Sequence, residues 1–294
     1  MILVAGSTGL VGREISRLLL DKKKSVRAIV RKTSNQDLVN DLESRGAEVV
    51  IADFKDPASL TAACRNVRSV VSTVSSTFSR QAGDAIDTVD LQGQIALINA
   101  AKAAGVRRFV LVSFNHQKAP KCALADAKNA AEQHLMKSGM EYAILRPSVF
   151  MEVWLSPALG FDAAAGTATI YGAGKNPISW ISLFDVAAFA AEAVEHPSAR
   201  NQTIEIGGPD ALSPLDVVRI FEESTGRKFN VQHVPEEALQ AQRAAATDPM
   251  QHSFASLMLL YAKGDPIDMS RTGKQFPIRW KSVRDYAKSV TAAR

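Results

Sequence analysis

Three closely spaced glycines carry the first chemical signal. Gly6-Ser7-Thr8-Gly9-Leu10-Val11-Gly12 directly follows the apolar run Ile2-Leu3-Val4-Ala5 and leads into a stretch where Val11, Ile15, Leu18 and Leu19 recur at helical spacing. In a strand-turn-helix setting, glycine lets the backbone turn tightly and approach a pyrophosphate. The helix amino terminus adds unpaired N–H groups and a partial positive charge, and the third glycine lets the helix pack close to the strand. The G-x-x-G-x-x-G spacing therefore points to a bound dinucleotide, with residues 6–12 at the cofactor; a ligand-free glycine turn is the alternative that this setting disfavours. Arg31 and Lys32 stand at the end of the second apolar run, where a site for NAD usually has a carboxylate to take the ribose 2′-hydroxyl. A carboxylate would repel a 2′-phosphate, whereas a guanidinium binds it through paired charge-assisted hydrogen bonds. The expected cofactor is NADP(H).

Fewer residues offer themselves for acid, base or nucleophilic work. Ser113 stands at the end of a later apolar run, where strand ends line the ligand crevice of an open α/β sheet, and Asn115 and His116 follow it. His116 is a candidate acid or base, against the blander reading of a solvated loop histidine. The five histidines, at 116, 134, 196, 233 and 252, show no metal-ligand spacing with carboxylates or cysteines, so no metal is expected. Tyr171 and Trp180 are read as packing aromatics that help enclose a cleft, and Asp185 as a helix cap.

The elements that must position these residues are legible as alternation. Short β-rich runs at 2–5, 26–30, 48–51, 69–72, 109–112 and 142–145 alternate with helical patterns, one of which places Leu91, Ile95, Ile98 and Ala101 on one face and ends at Gly105. Short apolar strands joined by crossover helices imply a parallel sheet covered on both faces. The expected fold is an α/β doubly wound parallel Rossmann sheet with a smaller, mostly helical C-terminal lobe. The expected division is 1–147 with 183–207 for the dinucleotide, and 148–182 with 208–294 for the substrate. A glycine- and alanine-rich stretch at 159–174 opens the second part, and Ser213-Pro214 starts a helix there.

With 46% apolar and 22% charged residues in 294, the chain is expected to be globular, and its longest apolar stretch, 254–262, is broken by Ser256. No membrane span or secretory leader is therefore expected. Cys64 and Cys122 form no disulfide framework, which fits a cytoplasmic location. The charge balance is 35 − 30 = +5, with basic residues scattered apart from Lys22-Lys23-Lys24 and Arg107-Arg108, so no nucleic-acid partner is expected. Oligomeric state is left open.

Together, the glycine spacing, Arg31-Lys32, Ala52-Asp53, the strand end at 110–113 and the stretch 142–147 ending in Arg146-Pro147 resemble the NmrA-like branch of the atypical short-chain dehydrogenase/reductases. The resemblance runs over about residues 1–207, with 181–187 in support. It implies a Rossmann lobe holding NAD(P)H and a variable lobe shaping a substrate cleft. It also implies that Asp53 and Phe54 lie near the adenine, that residues 72–78, Thr73 among them, run past the cofactor, and that Pro147, Val149 and Phe150 border the nicotinamide. One departure matters: short-chain reductases donate a proton from a Tyr four residues before a Lys, and here Leu124 precedes Lys128. Isoflavone-reductase-like and phenylcoumaran-reductase-like enzymes keep a Lys about one helix length before an aromatic in the sixth strand, and Lys128 stands in a similar relation to Tyr142.

Lys128 and Ser113 are thus the expected catalytic residues, with Lys128 also at the cofactor ribose. The ammonium would stabilise negative charge developing on the substrate oxygen. The alternative for Lys128 is a solvated helix pair with Glu132 at i+4. The leading expectation is an NADPH-dependent reductase of a small apolar or aromatic carbonyl, enone or quinone-like compound. A non-catalytic NADP(H)-binding redox sensor or regulator is the alternative, which the missing Tyr at position 124 would suit.

Overall fold

A computed structural model describes residues 1–79 and 81–292. The chain forms two compact units. One comprises Met1–Phe114, Leu124–Arg146 and Val186–Ile204; the other comprises Asn115–Ala123, Pro147–Asp185 and the chain from Glu205 onward.

In the first unit, strands and helices alternate: β1 (Ile2–Ala5), α1 (Leu10–Asp21), β2 (Val26–Val30), α2 (Gln36–Ser44), β3 (Glu48–Ile51), α3 (Pro57–Ala63) and β4 (Ser69–Ser72). A π-helical segment, Ile86–Gly93, then runs into α4 (Gln94–Ala103), followed by β5 (Arg108–Val112), α5 (Ala123–Met136) and β6 (Glu141–Pro147). After α6 (Met151–Trp154), β7 (Phe161–Asp162), β8 (Thr167–Tyr171) and α7 (Leu183–Ala193), strand β9 (Gln202–Ile206) completes a seven-stranded sheet of order β3-β2-β1-β4-β5-β6-β9. β1 pairs in parallel with both β2 and β4, so the strand order reverses at β1 and opens a crevice beyond the carboxyl ends of those strands. The strands run apolar without alternation because helices cover both faces: Leu3, Val70, Phe109 and Ile144 are fully buried in one core. Asn35 caps α2 and Asp56 caps α3, ahead of Pro57. The basic pairs flagged in the sequence are tied down within this unit. Lys22 and Lys24 bond Glu192 and Glu195, and Arg108 grips Glu141 and three backbone carbonyls of residues 193–196.

The second unit adds α8 (Pro214–Thr225), β10 (Asn230–Val234), α9 (Glu236–Ala245), α10 (Pro249–Lys263), α11 (Thr272–Gln275) and α12 (Val283–Ala292). Beside these helices it holds a small sheet, β10-β8-β7, in which β8 and β10 pair in parallel from Asn230 opposite Thr167 to Val234 opposite Tyr171. The sequence pattern did not announce these strands: β8 lies inside the glycine-rich stretch, with Gly166 and Gly172 at positive φ at its two ends and Gly160 likewise just before β7. Tyr171 and Trp180 pack in an aromatic cluster. Trp154 stacks on Tyr261 at 5.0 Å, while Tyr171 and Trp180 meet Tyr261 edge-on at 5.6 and 5.7 Å. The Trp180 indole N–H donates to the Leu212 carbonyl. The capping role expected of Asp185 belongs to Ser182, whose hydroxyl accepts from the Phe184 N–H. Asp185 instead accepts from the Lys281 N–H, and burial pushes its carboxyl up to about 6.

Among the described residues no helix is long and apolar enough to cross a membrane, and no group of three or more His, Cys, Asp or Glu could hold a metal ion. Cys64 and Cys122 are buried free thiols.

Candidate active site

The turn after β1 is closed by a hydrogen bond from the Gly9 N–H to the Gly6 carbonyl at 2.9 Å. Gly6 has φ +83, and a Cβ there would lie 2.6 Å from Thr73 Oγ1. A Cβ on Gly12 would lie 2.1 Å from the Gly6 carbonyl oxygen, a contact no side chain tolerates. Gly12 therefore sets how closely α1 approaches the turn. The Ser7 hydroxyl donates to the Ile29 carbonyl at 2.6 Å and ties the turn to β2, while Val11 packs in the core and Leu10 stays exposed. Whereas α2, α3, α8 and α10 each begin on a side-chain cap, α1 begins on Gly9 with none and has no acidic residue in its first turn. An amino terminus left this way accommodates an anion.

That terminus opens on a cleft of about 270 Å³ within the first unit. Gly6, Thr8 and Gly9 form its floor; Arg31 and Ser34 follow β2; Asp53 and Phe54 follow β3; Thr73, Val74 and Ser75 follow β4; Phe78 and Asp84 complete it. Of the residues expected at the cofactor, Gly6, Thr8, Gly9, Arg31, Asp53, Phe54 and Thr73 meet in this one cleft. Lys32 is exposed and Ser7, Leu10, Val11 and Gly12 shape the turn without lining the cleft.

Arg31 Nη1 lies 2.5 Å from Asp84 Oδ2, and the Lys55 ammonium and the Ser79 hydroxyl bond the same carboxylate. Burial pushes the Asp84 carboxyl up, but Lys55, Ser79 and Arg31 outweigh it and hold it below the usual carboxylate range. Asp53 accepts from the Lys55 N–H, which braces the turn after β3.

Lys128, on α5, is 5% exposed, so the expected alternative of a solvated pair with Glu132 is not what forms. Its Nζ lies 2.8 Å from Asp90 Oδ1 and donates to the Val74 carbonyl at 3.1 Å. Glu132 is paired with Arg146 at 2.5 Å instead. Asp90 is fully buried in the π-helical segment and also accepts from the Ser76 N–H and hydroxyl. Burial pushes this carboxyl up, and Lys128 and Ser76 more than offset that, keeping it ionised. Lys128, Asp90 and Ser76 thus fix the loop after β4 that borders the cleft. π-helical turns recur at functional sites.

Ser113 follows β5; its N–H donates to the Leu145 carbonyl at 2.8 Å, and its buried hydroxyl has no hydrogen-bond partner among the described residues. A buried hydroxyl in that state calls for a reason, and a ligand atom is one. Leu124 is buried on α5. In the second unit, His116 and Asn115 are both buried, contrary to the solvated reading of the loop histidine, and Asn115 donates to Asp265 at 3.2 Å. Pro147 closes β6, while Val149 and Phe150 are half-buried beyond it, with Phe150 bridged to Ile181.

Lys55, Asp84 and Asp90 were missed in the sequence, whereas Phe78 falls in the stretch 72–78 that was expected to run past the cofactor. Asp84 lies 53 residues from Arg31 and Asp90 lies 38 from Lys128, and no local motif marks either carboxylate.

Comparison with known proteins places this geometry among relatives. The chain is 33% identical over 269 residues to the NAD(P)H azoreductase of Xenophilus azovorans, covering 90% of this chain and 88% of that protein. It is 29% identical over 249 residues to the photosystem II assembly factor Ycf39 of Synechocystis, covering 83% of this chain and 73% of that protein. The crystal structure of the NADPH-dependent quinone oxidoreductase of Escherichia coli complexed with NADPH superposes with a TM-score of 0.80 at 25% identity, over 99% of this chain and 100% of that one. The pattern of the NmrA-like family matches residues 1–287, and with the glycine turn, the reversal of strand order at β1 and the cleft in place, this chain belongs to the NmrA-like family.

Proposed function

We propose that the protein is an NADPH-dependent reductase of a small apolar or aromatic carbonyl, enone or quinone-like compound. The observation that carries this reading is the cleft itself, where an uncapped helix terminus, a turn too tight for any Cβ at Gly12, and the Arg31 guanidinium converge. These residues fit NADP(H). Gly6, Thr8 and Gly9 would hold the pyrophosphate against the α1 terminus, Arg31 the 2′-phosphate, and Asp53 and Phe54 the adenine end, with Thr73 alongside. Bound there, the dinucleotide supplies a hydride. Pro147, Val149 and Phe150 are assigned to its nicotinamide end.

Lys128 is assigned an electrostatic role. Its ammonium has three N–H donors; Asp90 and the Val74 carbonyl account for two, and the third is available to a ribose or substrate oxygen. The Ser113 hydroxyl is assigned to the same substrate oxygen. Leucine at position 124 removes the usual phenolic proton donor, and this favours acceptors whose reduced oxygen is only weakly basic. A quinone reduced by hydride leaves a phenolate-type oxygen with a pKa of about 10, which an ammonium and a hydroxyl can stabilise while water supplies the proton. Similarity to the azoreductase and the quinone oxidoreductase supports the same choice.

A non-catalytic sensor or regulator is the second reading. Leu124 favours it, as does similarity to an assembly factor. Turnover separates the two. The purified protein is expected to oxidise NADPH when a para-quinone is supplied. Arg31→Glu is expected to lower kcat/KM for NADPH roughly 100-fold, with a much smaller loss for NADH, because it replaces a charge-assisted contact with a like-charge one. NADPH binding without turnover on any quinone, enone or aromatic carbonyl tested would favour the sensor.

A further inference from the structure

The cation cluster at the mouth of the cleft already holds an anion of its own. Asp84 is 3% exposed at its side chain and receives Arg31, Lys55 and the Ser79 hydroxyl together. Two cations therefore face one carboxylate, leaving a net charge near +1 for any incoming group. A ribose 2′-phosphate carries about −1.5 to −2 at neutral pH and would form its bonds with the same guanidinium. It must either displace Asp84 from Arg31 or sit beside it at a repulsive cost. A ribose 2′-hydroxyl has the opposite preference. It can donate to a carboxylate, which is how sites for NAD commonly hold that ribose, although there the carboxylate comes from the end of β2. Here the end of β2 supplies Arg31 and the carboxylate arrives from the segment after β4.

We propose that Asp84 is a specificity-determining residue that tempers the preference of the cleft for NADPH: it occupies Arg31 and Lys55 as an internal stand-in for the 2′-phosphate, and it accepts from the ribose 2′-hydroxyl when NADH binds. This rests on the proposed dinucleotide cleft and adds to it a second usable cofactor. In such a cleft NADPH has to win Arg31 from Asp84, whereas NADH leaves the Arg31–Asp84 pair intact. Neither Gly6 nor Arg31 alone would produce that balance.

The test is a binding titration of the full chain with NADPH and with NADH, on wild type, Asp84→Asn and Asp84→Ala. Thermal unfolding of each free protein separates lost fold from lost binding. Wild type is expected to bind both nucleotides, NADPH the more tightly. Both variants are expected to raise the ratio of the NADH Kd to the NADPH Kd about tenfold or more: each removes the competing charge, Asp84→Asn leaves only a neutral, weaker acceptor for the 2′-hydroxyl, and Asp84→Ala removes the acceptor as well. The two halves of the effect separate by chemistry, since the NADH Kd should rise while the NADPH Kd falls or holds. A ratio unchanged within about twofold in a folded variant would overturn the role of Asp84 and leave the dinucleotide cleft standing. Wild type binding neither nucleotide would overturn the cleft and this inference with it.

Discussion

Replacing Lys128 with Met is expected to cost roughly 3 to 5 kcal/mol of folding stability, the usual penalty for stranding one partner of a buried ion pair. The basis is local and specific. Asp90 is fully buried, Lys128 is its cationic partner at 2.8 Å, and the remaining donors to that carboxylate are the N–H and hydroxyl of Ser76. Burial already pushes Asp90 up, and Lys128 is the largest influence holding it down. Without the ammonium, the carboxyl takes up a proton more readily in the folded state than in the unfolded one. The deficit of the variant should therefore shrink as pH falls through the raised folded-state value, the opposite of wild type, whose depressed Asp90 costs stability as pH falls. Asp90→Asn combined with Lys128→Met removes both charges and should recover much of the loss. Urea unfolding with an unchanged slope is the measurement, and a single-variant cost under about 1 kcal/mol would mean the pair is not anchoring the loop. The folded double variant also isolates the chemistry. If Lys128 stabilises charge on the substrate oxygen, kcat should fall roughly 100-fold while the NADPH Kd moves far less.

Gly12→Ala is expected to damage the cleft about as severely. The added methyl would lie 2.1 Å from the Gly6 carbonyl oxygen and 2.7 Å from the Gly6 carbonyl carbon, both backbone atoms with little room to yield. Either α1 withdraws from the turn or the turn opens, and both move Gly6, Gly9 and the α1 terminus away from a common ligand. Overpacking of this kind costs roughly 1 to 3 kcal/mol, and a backbone clash lies at or beyond the upper end. Dinucleotide affinity should fall more than about 100-fold in whatever fraction remains folded, since the preorganised anion site is what the substitution deforms. Gly9→Ala provides the scale. Gly9 has φ −81, and its Cβ would lie 3.1 Å from the same oxygen, so a smaller loss is expected. Thermal unfolding and dinucleotide titration of the two variants side by side would show the order, and Gly12→Ala binding as wild type would refute the role given to the turn.

What was legible in the sequence was local. Residues 6–12, their strand and their helix are neighbours in the chain, and the physics that joins them, a tight turn and a helix terminus, acts over a few residues. The strands expected at 2–5, 26–30, 48–51 and 69–72 form with those bounds, and the later two extend to Arg108 and to Glu141–Pro147. Burial on both faces makes such strands continuous apolar runs. Arg31 was visible for the same reason, as the residue closing the second strand. Asp84 and Asp90 were not visible, because an ion pair between distant residues leaves no trace in spacing. Lys128 shows the limit most clearly. Its i+4 neighbour Glu132 was the obvious partner, yet Arg146 takes that carboxylate and Lys128 turns to Asp90. Strands β8 and β10 escaped because half-buried residues and flanking glycines blur a two-residue period.

The dinucleotide cleft is the centre of this account, and a thermal-shift titration of the free protein with NADPH, NADP⁺, NADH and NAD⁺ tests it most directly. A ligand at about 100 times its Kd should stabilise the fold by roughly 2.7 kcal/mol, a shift of several degrees for a domain of this size. The expected result is stabilisation by all four, with the NADP pair ahead at equal concentration. Unchanged unfolding with every one of the four would contradict the cofactor assignment, and with it the reductase reading built on Gly6, Arg31 and Lys128.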